Sequence, residues 1–256
     1  MRANRKLWAA ATICLTATLA LTGCGKGDDK PADPFAGLSA DDIAKKSLDT
    51  TKAATSVHMK GAGKEDGKET TVDVTVDSKG SCQGTMSTTG EGKAEMVGTG
   101  GDLYIKGDDA FWTSSTGGED AASEGPDFGK LLQGRWMKSP AEAAGADDSD
   151  TFCDLKVIFA DMEKETKTTG LTRGADADVD GTPAVVLTGK DAKKGDTTLY
   201  VARDSAKPYV LRVVTTGGDD PGTVTLSDYD KPVTVTAPPA DQVMDMEQLM
   251  KEALKG

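Results

Sequence analysis

The chain has 256 residues, of which 42 are acidic and 30 basic, and its formal net charge is −12. This excess of carboxylates argues against nucleic acid as a partner and against a protein that lies flat on anionic lipid, because phosphate groups would repel it. The length allows one sizeable core or two small ones.

The first 24 residues have the organisation of an export signal. Three basic residues within the first six precede an apolar or small run at 7–21, which is short for a bilayer-spanning helix. The run ends in Leu21-Thr22-Gly23-Cys24, which resembles the bacterial lipobox. The resemblance implies cleavage before Cys24 and acylation of that residue, with palmitate as a typical chain, on the extracytoplasmic face of the cell membrane. The alternatives are an uncleaved signal anchor and a non-lipidated secreted protein with a chance cysteine.

A polar segment rich in glycine and proline follows Cys24. Residues 25–34 read GKGDDKPADP and offer nothing to bury, which indicates a flexible tether. We therefore divide the chain into a signal peptide at 1–23, an acyl-anchored tether at 24–38 and a single domain at 39–256. Removing the signal peptide takes away three basic side chains, so the mature charge is about −15.

Four cysteines occur in the chain. Cys14 leaves with the signal peptide and Cys24 takes the lipid. The remaining two, Cys82 and Cys153, lie in an exported domain, where a disulfide between them is the simplest prediction. Two free buried thiols are the alternative.

The predicted domain opens with a helix and continues as strands. Ser39 can cap the helix, Asp41 and Asp42 suit its first turn, and the helix is expected to reach about Thr55. The period then changes to two, and residues 71–77 alternate between apolar and polar. Further short strands are predicted at 82–88, 93–98, 102–106, 184–190, 197–203, 208–215, 222–228 and 233–236, in an antiparallel meander.

Two small, acidic segments at 114–126 and 141–150 interrupt the strands and are predicted to be loops. Helical patterns occur at 128–133, from residue 152 to 162, and at 241–254. Strands followed by inserted helices and more strands predict an α+β fold with helices on one face of a curved sheet.

Sequence patterns typical of enzymes or metal sites are incomplete in this chain. Residues 176–181 begin like a calcium-binding EF-hand loop, but the twelfth position is Leu187 instead of glutamate, which favours a turn at Asp180-Gly181. The single histidine, His58, is expected to have no partner set for a metal site or a Ser-His-Asp triad. We expect no enzyme, no metal and no cofactor.

Several stretches, taken in order, resemble the LppX/LprG lipoproteins of actinobacteria, which are related in fold to the LolA/LolB carriers. The resemblance spans about residues 39–236. It implies a half-open antiparallel β-barrel with inserted helices on its concave face and an apolar cavity for the acyl chains of lipids or lipoglycans. The stretches are 103–112 (LYIKGDDAFW), 134–138 (GRWMK), 179–185 (VDGTPAV), 199–202 (LYVA), 207–212 (KPYVLR) and 227–233 (SDYDKPV).

The residues are compatible with such a cavity. A sheet face of Val, Leu, Ile and Met needs a helix or a ligand packed against it. A fully filled core without a cavity is the alternative. The candidate cavity residues are Leu131, Leu132, Trp136, Phe152, Leu155 and Phe159.

The leading hypothesis is therefore a membrane-anchored, extracytoplasmic lipoprotein that binds lipid or lipoglycan and carries or presents it in the envelope. The second hypothesis is a ligand-free interaction or sensory lipoprotein that docks an envelope membrane protein.

Overall fold

The computed structural model describes residues 32–115, 131–140, 153–166, 168–191 and 194–246. Asp33–Gly256 is one compact unit. The helices of the described residues are α1 (Ala40–Lys52), α2 (Asp109–Ser115) and α3 (Leu155–Glu165). The strands are β1 (Ser56–Glu65), β2 (Lys68–Asp77), β3 (Cys82–Thr88), β4 (Gly92–Thr99), β5 (Asp102–Gly107), β6 (Trp136–Pro140), β7 (Thr172–Arg173), β8 (Ala177–Val179), β9 (Thr182–Gly189), β10 (Asp196–Ala202), β11 (Val210–Thr216), β12 (Gly222–Ser227) and β13 (Val243–Asp245).

These strands form a single sheet in the order β13-β6-β5-β4-β3-β2-β1-β12-β11-β10-β9-β7, and β8 also pairs with β9. Two antiparallel meanders, β1 to β6 and β9 to β12, are joined where β1 pairs with β12. The only parallel pair among the described strands is β13 with β6. The sheet ends in β13 and β7 and stays open. The predicted α+β fold, a curved antiparallel half-barrel with inserted helices, is confirmed.

Two tight turns show why short Asp-Gly pairs end strands in this chain. Asp66-Gly67 joins β1 to β2 and Asp180-Gly181 joins β8 to β9, and all four residues have positive φ between 50° and 87°. This is the two-residue hairpin turn in which both central residues are left-handed, so glycine and aspartate are favoured there. The prediction of a turn instead of a calcium loop at Asp180-Gly181 is confirmed.

The main core lies on one face of the sheet, which we call the inner face, beneath α1 and α3. Side chains of α1 and α3 meet the inward residues of β1, β2 and β9 to β12. Alternation along the strands explains the pattern, since every second residue of a strand faces the same side. The largest fully buried members of this core are Phe35, Ile43, Val57, Val76, Phe159, Val185, Leu187, Leu199, Val201 and Leu226.

Helix α1 begins as predicted and ends three residues earlier. The Ser39 hydroxyl accepts a hydrogen bond from the Asp42 amide, and the Asp42 carboxylate reaches back to the Ser39 amide, which completes a capping box. The helix ends at Lys52 because β1 starts at Ser56.

The folded unit starts at Asp33, ahead of the boundary predicted at residue 39. Phe35 is only 1% exposed and belongs to the main core. Asp33 forms a two-pronged ion pair with Arg173 of β7, and this pairing lowers the pKa of the Asp33 carboxyl. Phe35, which lies within the segment that composition assigned to a tether, therefore belongs to the folded unit, because one buried aromatic residue outweighs its polar neighbours.

Two other predicted elements differ from the structure. Residues 233–236 do not belong to any strand, and residues 241–245 form the end of a 3-10 turn (Ala240–Gln242) and strand β13 instead of the start of a helix. Residues 243–245 form a strand because they pair with β6. The rest of the predicted C-terminal helix, the predicted acidic loop at 141–150 and most of the helix at 128–133 lie outside the described residues.

Candidate functional site

The centre of the inner face carries a row of apolar residues that is only half covered. Strand register aligns Met86, Val72, Gly61, Val224 and Val213 across β3, β2, β1, β12 and β11. We call these five residues the apolar row. Its four side chains are each half-buried, whereas Val74 and Val76 on the same face of β2 are buried. Four strand spacings make the row about 19 Å long.

Gly61 shapes the middle of the row. A Cβ atom at this position would lie 2.8 Å from Cγ1 of Val72 and 3.5 Å from Cγ2 of Val224. Glycine therefore allows the two valines to approach each other over β1, and the three residues form a continuous apolar floor.

The row lies between two buried regions of the inner face. On one side are the residues beneath α1 and α3. On the other side α2 packs on β4 and β5, where Trp112 is buried and the ring of Phe111 lies directly on Gly107. A Cβ atom at Gly107 would be 2.2 Å from that ring, so the close approach requires glycine.

The predicted disulfide is present and fixes α3 above the sheet. Cys82 and Cys153 are bonded, with their Cα atoms 5.3 Å apart. Cys82 is fully buried at the start of β3, and Cys153 directly precedes Asp154, whose carboxylate caps α3. Gly98 lies opposite Cys82, and a side chain there would collide with Sγ of Cys153 at 2.6 Å. The bond therefore ties α3 to β3 and β4 and sets its position over the inner face.

Helix α1 is held over the same face by polar contacts. The Asp41 carboxylate accepts hydrogen bonds from the amides of Leu171 and Gly170, at 2.8 and 2.9 Å, and these bonds lower its pKa. The buried Thr51 hydroxyl accepts a hydrogen bond from the Val210 amide at 3.0 Å. The helix cannot slide along the sheet without breaking these contacts.

A second polar cluster closes the same end of the domain around Asp230. Its carboxylate accepts bonds from the Tyr209 hydroxyl at 2.6 Å, the Thr55 amide at 3.0 Å and Lys207 Nζ at 3.3 Å. The Tyr209 bond, followed by the Thr55 amide, lowers the pKa of Asp230 to about 2. Burial, followed by the bond to Asp230, raises the pKa of Tyr209 to about 12. The cluster joins α1, β1 and the two segments that flank β11 and β12.

The predicted cavity residues fall in different places. Leu155 and Phe159 are buried side by side in the main core, and Leu132 is fully buried. Leu131 is 43% exposed. Trp136 is half-buried, and its ring faces Lys106 on the outer face of the sheet, so that Met137 is the β6 residue that faces inward. Phe152 lies outside the described residues, as does the predicted lipidation site Cys24.

His58 has partners that the sequence did not reveal. Its Nε2 atom is 2.7 Å from the Asp73 carboxylate, and its Nδ1 atom is 3.3 Å from the Ser227 hydroxyl. The hydrogen bond to His58 lowers the pKa of Asp73. The expectation that His58 has no such partners was wrong, because β2 and β12 bring them from 15 and 169 residues away.

This array lies on the outer face of the sheet, where it forms a cross-strand contact. Strand β1 is paired on both sides, so its amides near His58 are used by the sheet ladders. They are therefore not free to stabilise an oxyanion, as hydrolysis at a serine requires.

Sequence reasoning missed the apolar row. Val72, Val74 and Val76 alternate identically along β2, and only the strand register shows which of them is left half-covered. Within the described part of the chain, no group of three or more His, Cys, Asp or Glu side chains is placed to hold a metal ion. The same residues include no helix that is long and apolar enough to span a membrane.

Comparison with solved structures identifies the fold. LprF from Mycobacterium bovis superimposes with a TM-score of 0.53 at 17% identity, over 78% of this chain and 97% of LprF. The chain has the fold of the LppX/LprG-type lipoproteins. The Mycobacterium tuberculosis lipoprotein LppX is also similar, with a TM-score of 0.47 at 17% identity, over 77% of this chain and 98% of LppX. No family model and no curated protein sequence matches the chain.

Proposed function

We propose that this protein is a lipid-anchored, extracytoplasmic lipoprotein that binds the acyl chains of an amphiphile along the apolar row. It would carry or present that amphiphile within the cell envelope. The observation that supports the proposal best is the row itself, in which apolar side chains at the centre of the inner face remain only partly buried. A fold of the LppX/LprG type, for which acyl-chain binding is expected, agrees with it.

The chemistry of the row favours hydrocarbon over other ligands. Its five residues carry no polar side chain, so they offer contact area without hydrogen bonds. Burying about 400 Å² of ligand and protein surface there would contribute roughly 10 kcal/mol, from which the cost of association is subtracted. A polar headgroup would gain nothing on this floor and should remain in solvent.

A pair of neighbouring substitutions tests the proposal. Val72→Asp places a carboxylate on the apolar row, whereas Thr71→Asp places the same group on the exposed outer face of the same strand. Both full-length variants and the wild type are purified from membranes and examined by native mass spectrometry and by extraction with organic solvent. We expect a co-purifying amphiphile with the wild type and Thr71→Asp, and its loss from Val72→Asp.

An empty wild-type protein, or an equal load in all three proteins, would overturn the binding proposal and favour the ligand-free docking hypothesis. Thermal unfolding of both variants checks that Val72→Asp remains folded. A second variant, Val224→Asp, repeats the test from β12.

The anchor is tested separately. Cys24→Ser removes the sulfur that would be acylated, and we expect the protein to move from the membrane fraction to the soluble fraction. Intact-mass analysis of the wild type should show a product that starts at Cys24 with added acyl mass. A product that starts at Met1 or carries an unmodified Cys24 would overturn the anchor without affecting the acyl-binding test.

A further inference from the structure

The segment 232–238, PVTVTAP, has the composition of a strand but is not paired with any described strand. Its valines and threonines favour strands, and its alternation predicts one at 233–236. No hydrogen bond joins the main chain of residues 232–238 to another described residue. The segment is held at its start by a bond from the Ser56 hydroxyl to the Lys231 carbonyl, and after its end β13 pairs with β6.

Exposure along the segment follows the period of a strand. Val233 and Val235 are half-buried, while Thr234, Thr236 and Ala237 are exposed. The valines therefore face the domain, and the threonines face solvent. No described residue occupies the amides and carbonyls between them, and unpaired main-chain groups are what make an unprotected strand a site of strand addition.

The sequence of the segment is nearly the same in both directions. Around Val235, threonine is matched by threonine at 234 and 236, valine by alanine at 233 and 237, and proline by proline at 232 and 238. A strand of this kind is complementary to an antiparallel copy of itself, because residues of the same or similar type meet across a two-fold axis at Val235. Directly opposed threonines are a favourable cross-strand pair.

Charge does not oppose this register locally. Residues 232–238 carry no charged side chain, and Lys231 of one copy would lie opposite Pro239 of the other. The flanking prolines lack an amide hydrogen and limit the ladder to five residues.

We propose that residues 233–237 form a two-fold symmetric antiparallel ladder with the same segment of a second copy of this chain. Roughly four to six main-chain hydrogen bonds would form, depending on which edge of the segment is used. An interface of this size is small and therefore weak, so the dimer should need high local concentration. Because each mature chain would have a net charge of about −15, added salt should strengthen the dimer by screening the overall repulsion.

Cysteine pairing tests the register in the full-length protein in its membrane. In the proposed ladder residue 234 of one copy is opposite residue 236 of the other, with Cβ atoms about 5 Å apart, while 234 and 234 are diagonal and out of disulfide reach. We expect cells that contain both Thr234→Cys and Thr236→Cys proteins to give at least fivefold more disulfide-linked dimer after oxidation than cells with either variant alone. Both positions are exposed, so the fold should tolerate the substitutions.

Two further substitutions are introduced separately into the Thr234→Cys protein, and each double variant is then cross-linked with the Thr236→Cys protein. Thr225→Ala, on the outer face of β12, should leave the cross-linked dimer unchanged, whereas Val235→Lys, which places like charges at the two-fold axis, should reduce it severalfold. Equal cross-linking in all three cysteine combinations, an absence of dimer, or cross-linking to a different protein would overturn the proposal. Unfolding measurements on Val235→Lys distinguish loss of pairing from loss of fold.

Discussion

The inner face of the sheet carries two regions that are built from the same kinds of residue but differ in how deeply those residues are buried. Beneath α1 and α3 the inward side chains are closed off, and Val57, Val76 and Leu187 have no exposed surface. In the apolar row Val72, Val213 and Val224 are only partly buried and pack against the margin of the main core. The two regions share strands β1, β2, β11 and β12.

The difference shows that an alternating strand does not by itself define a core. Alternation selects the face on which a side chain lies, and an element packed on that face decides whether the side chain is buried. Helices α1 and α3 make the packed region a source of stability. We expect the row, which is less buried, to contribute less to stability.

The largest loss of stability should come from removing the disulfide that holds α3 over the packed region. Replacing both Cys82 and Cys153 with serine releases a loop closed over 71 residues and should lower the free energy of unfolding by about 4 kcal/mol. Urea denaturation of the full-length protein, read by tryptophan fluorescence, measures this change. An unchanged midpoint would show that packing alone positions α3.

Two valines of one strand compare the regions directly. Val76→Ala leaves a cavity in a closed core and should cost roughly 2 to 3 kcal/mol, whereas Val72→Ala on the row should cost less than about 1 kcal/mol. Both side chains face inward from β2, so each variant is the control for the other. Equal losses in urea denaturation would show that the row is ordinary core.

The pH dependence of the free energy of unfolding tests the polar cluster around Asp230. Its folded pKa of about 2 lies below the usual aspartate value near 3.9, so its ionised form stabilises the fold at neutral pH. Asp230→Asn should lower the free energy of unfolding by roughly 1 to 2 kcal/mol at pH 7. The difference from the wild type should shrink as the pH falls from about 4 to 2, because the wild-type carboxyl then takes up its proton. A difference that persists at pH 2 would contradict this origin.

The smallest effect concerns the start of α1. Ser39→Ala removes the hydroxyl that accepts the Asp42 amide and should lower the free energy of unfolding by about 1 kcal/mol. Leu131→Ala, at an exposed position, is the comparison and should change it by less than about 0.5 kcal/mol. A larger loss for Leu131→Ala would place that side chain in contact with the domain.

Local signals were sufficient where the structure depends on neighbours in sequence. The alternation at 82–88 coincides with β3, and the Ser39 cap starts α1. The same signals failed where distant contacts decide. Residues 233–236 alternate as a strand but pair with no described strand, and residues 243–245, inside a predicted helix, pair with β6. The cavity candidates share an apolar or aromatic side chain, but residue type does not show which face of the sheet a side chain lies on. Trp136 faces outward and Leu131 is exposed.

The sequence by itself determined the two-residue period of the strands, the turns at Asp-Gly pairs and the pairing of Cys82 with Cys153. Each of these follows from residues close in sequence or from elimination among few candidates. Only the tertiary structure decided that Phe35 belongs to the core and that β2 and β12 bring partners to His58. It also decided that Val72 is half-buried while Val76 is fully buried. Burial depends on which elements pack together across long sequence separations, and no local pattern records that.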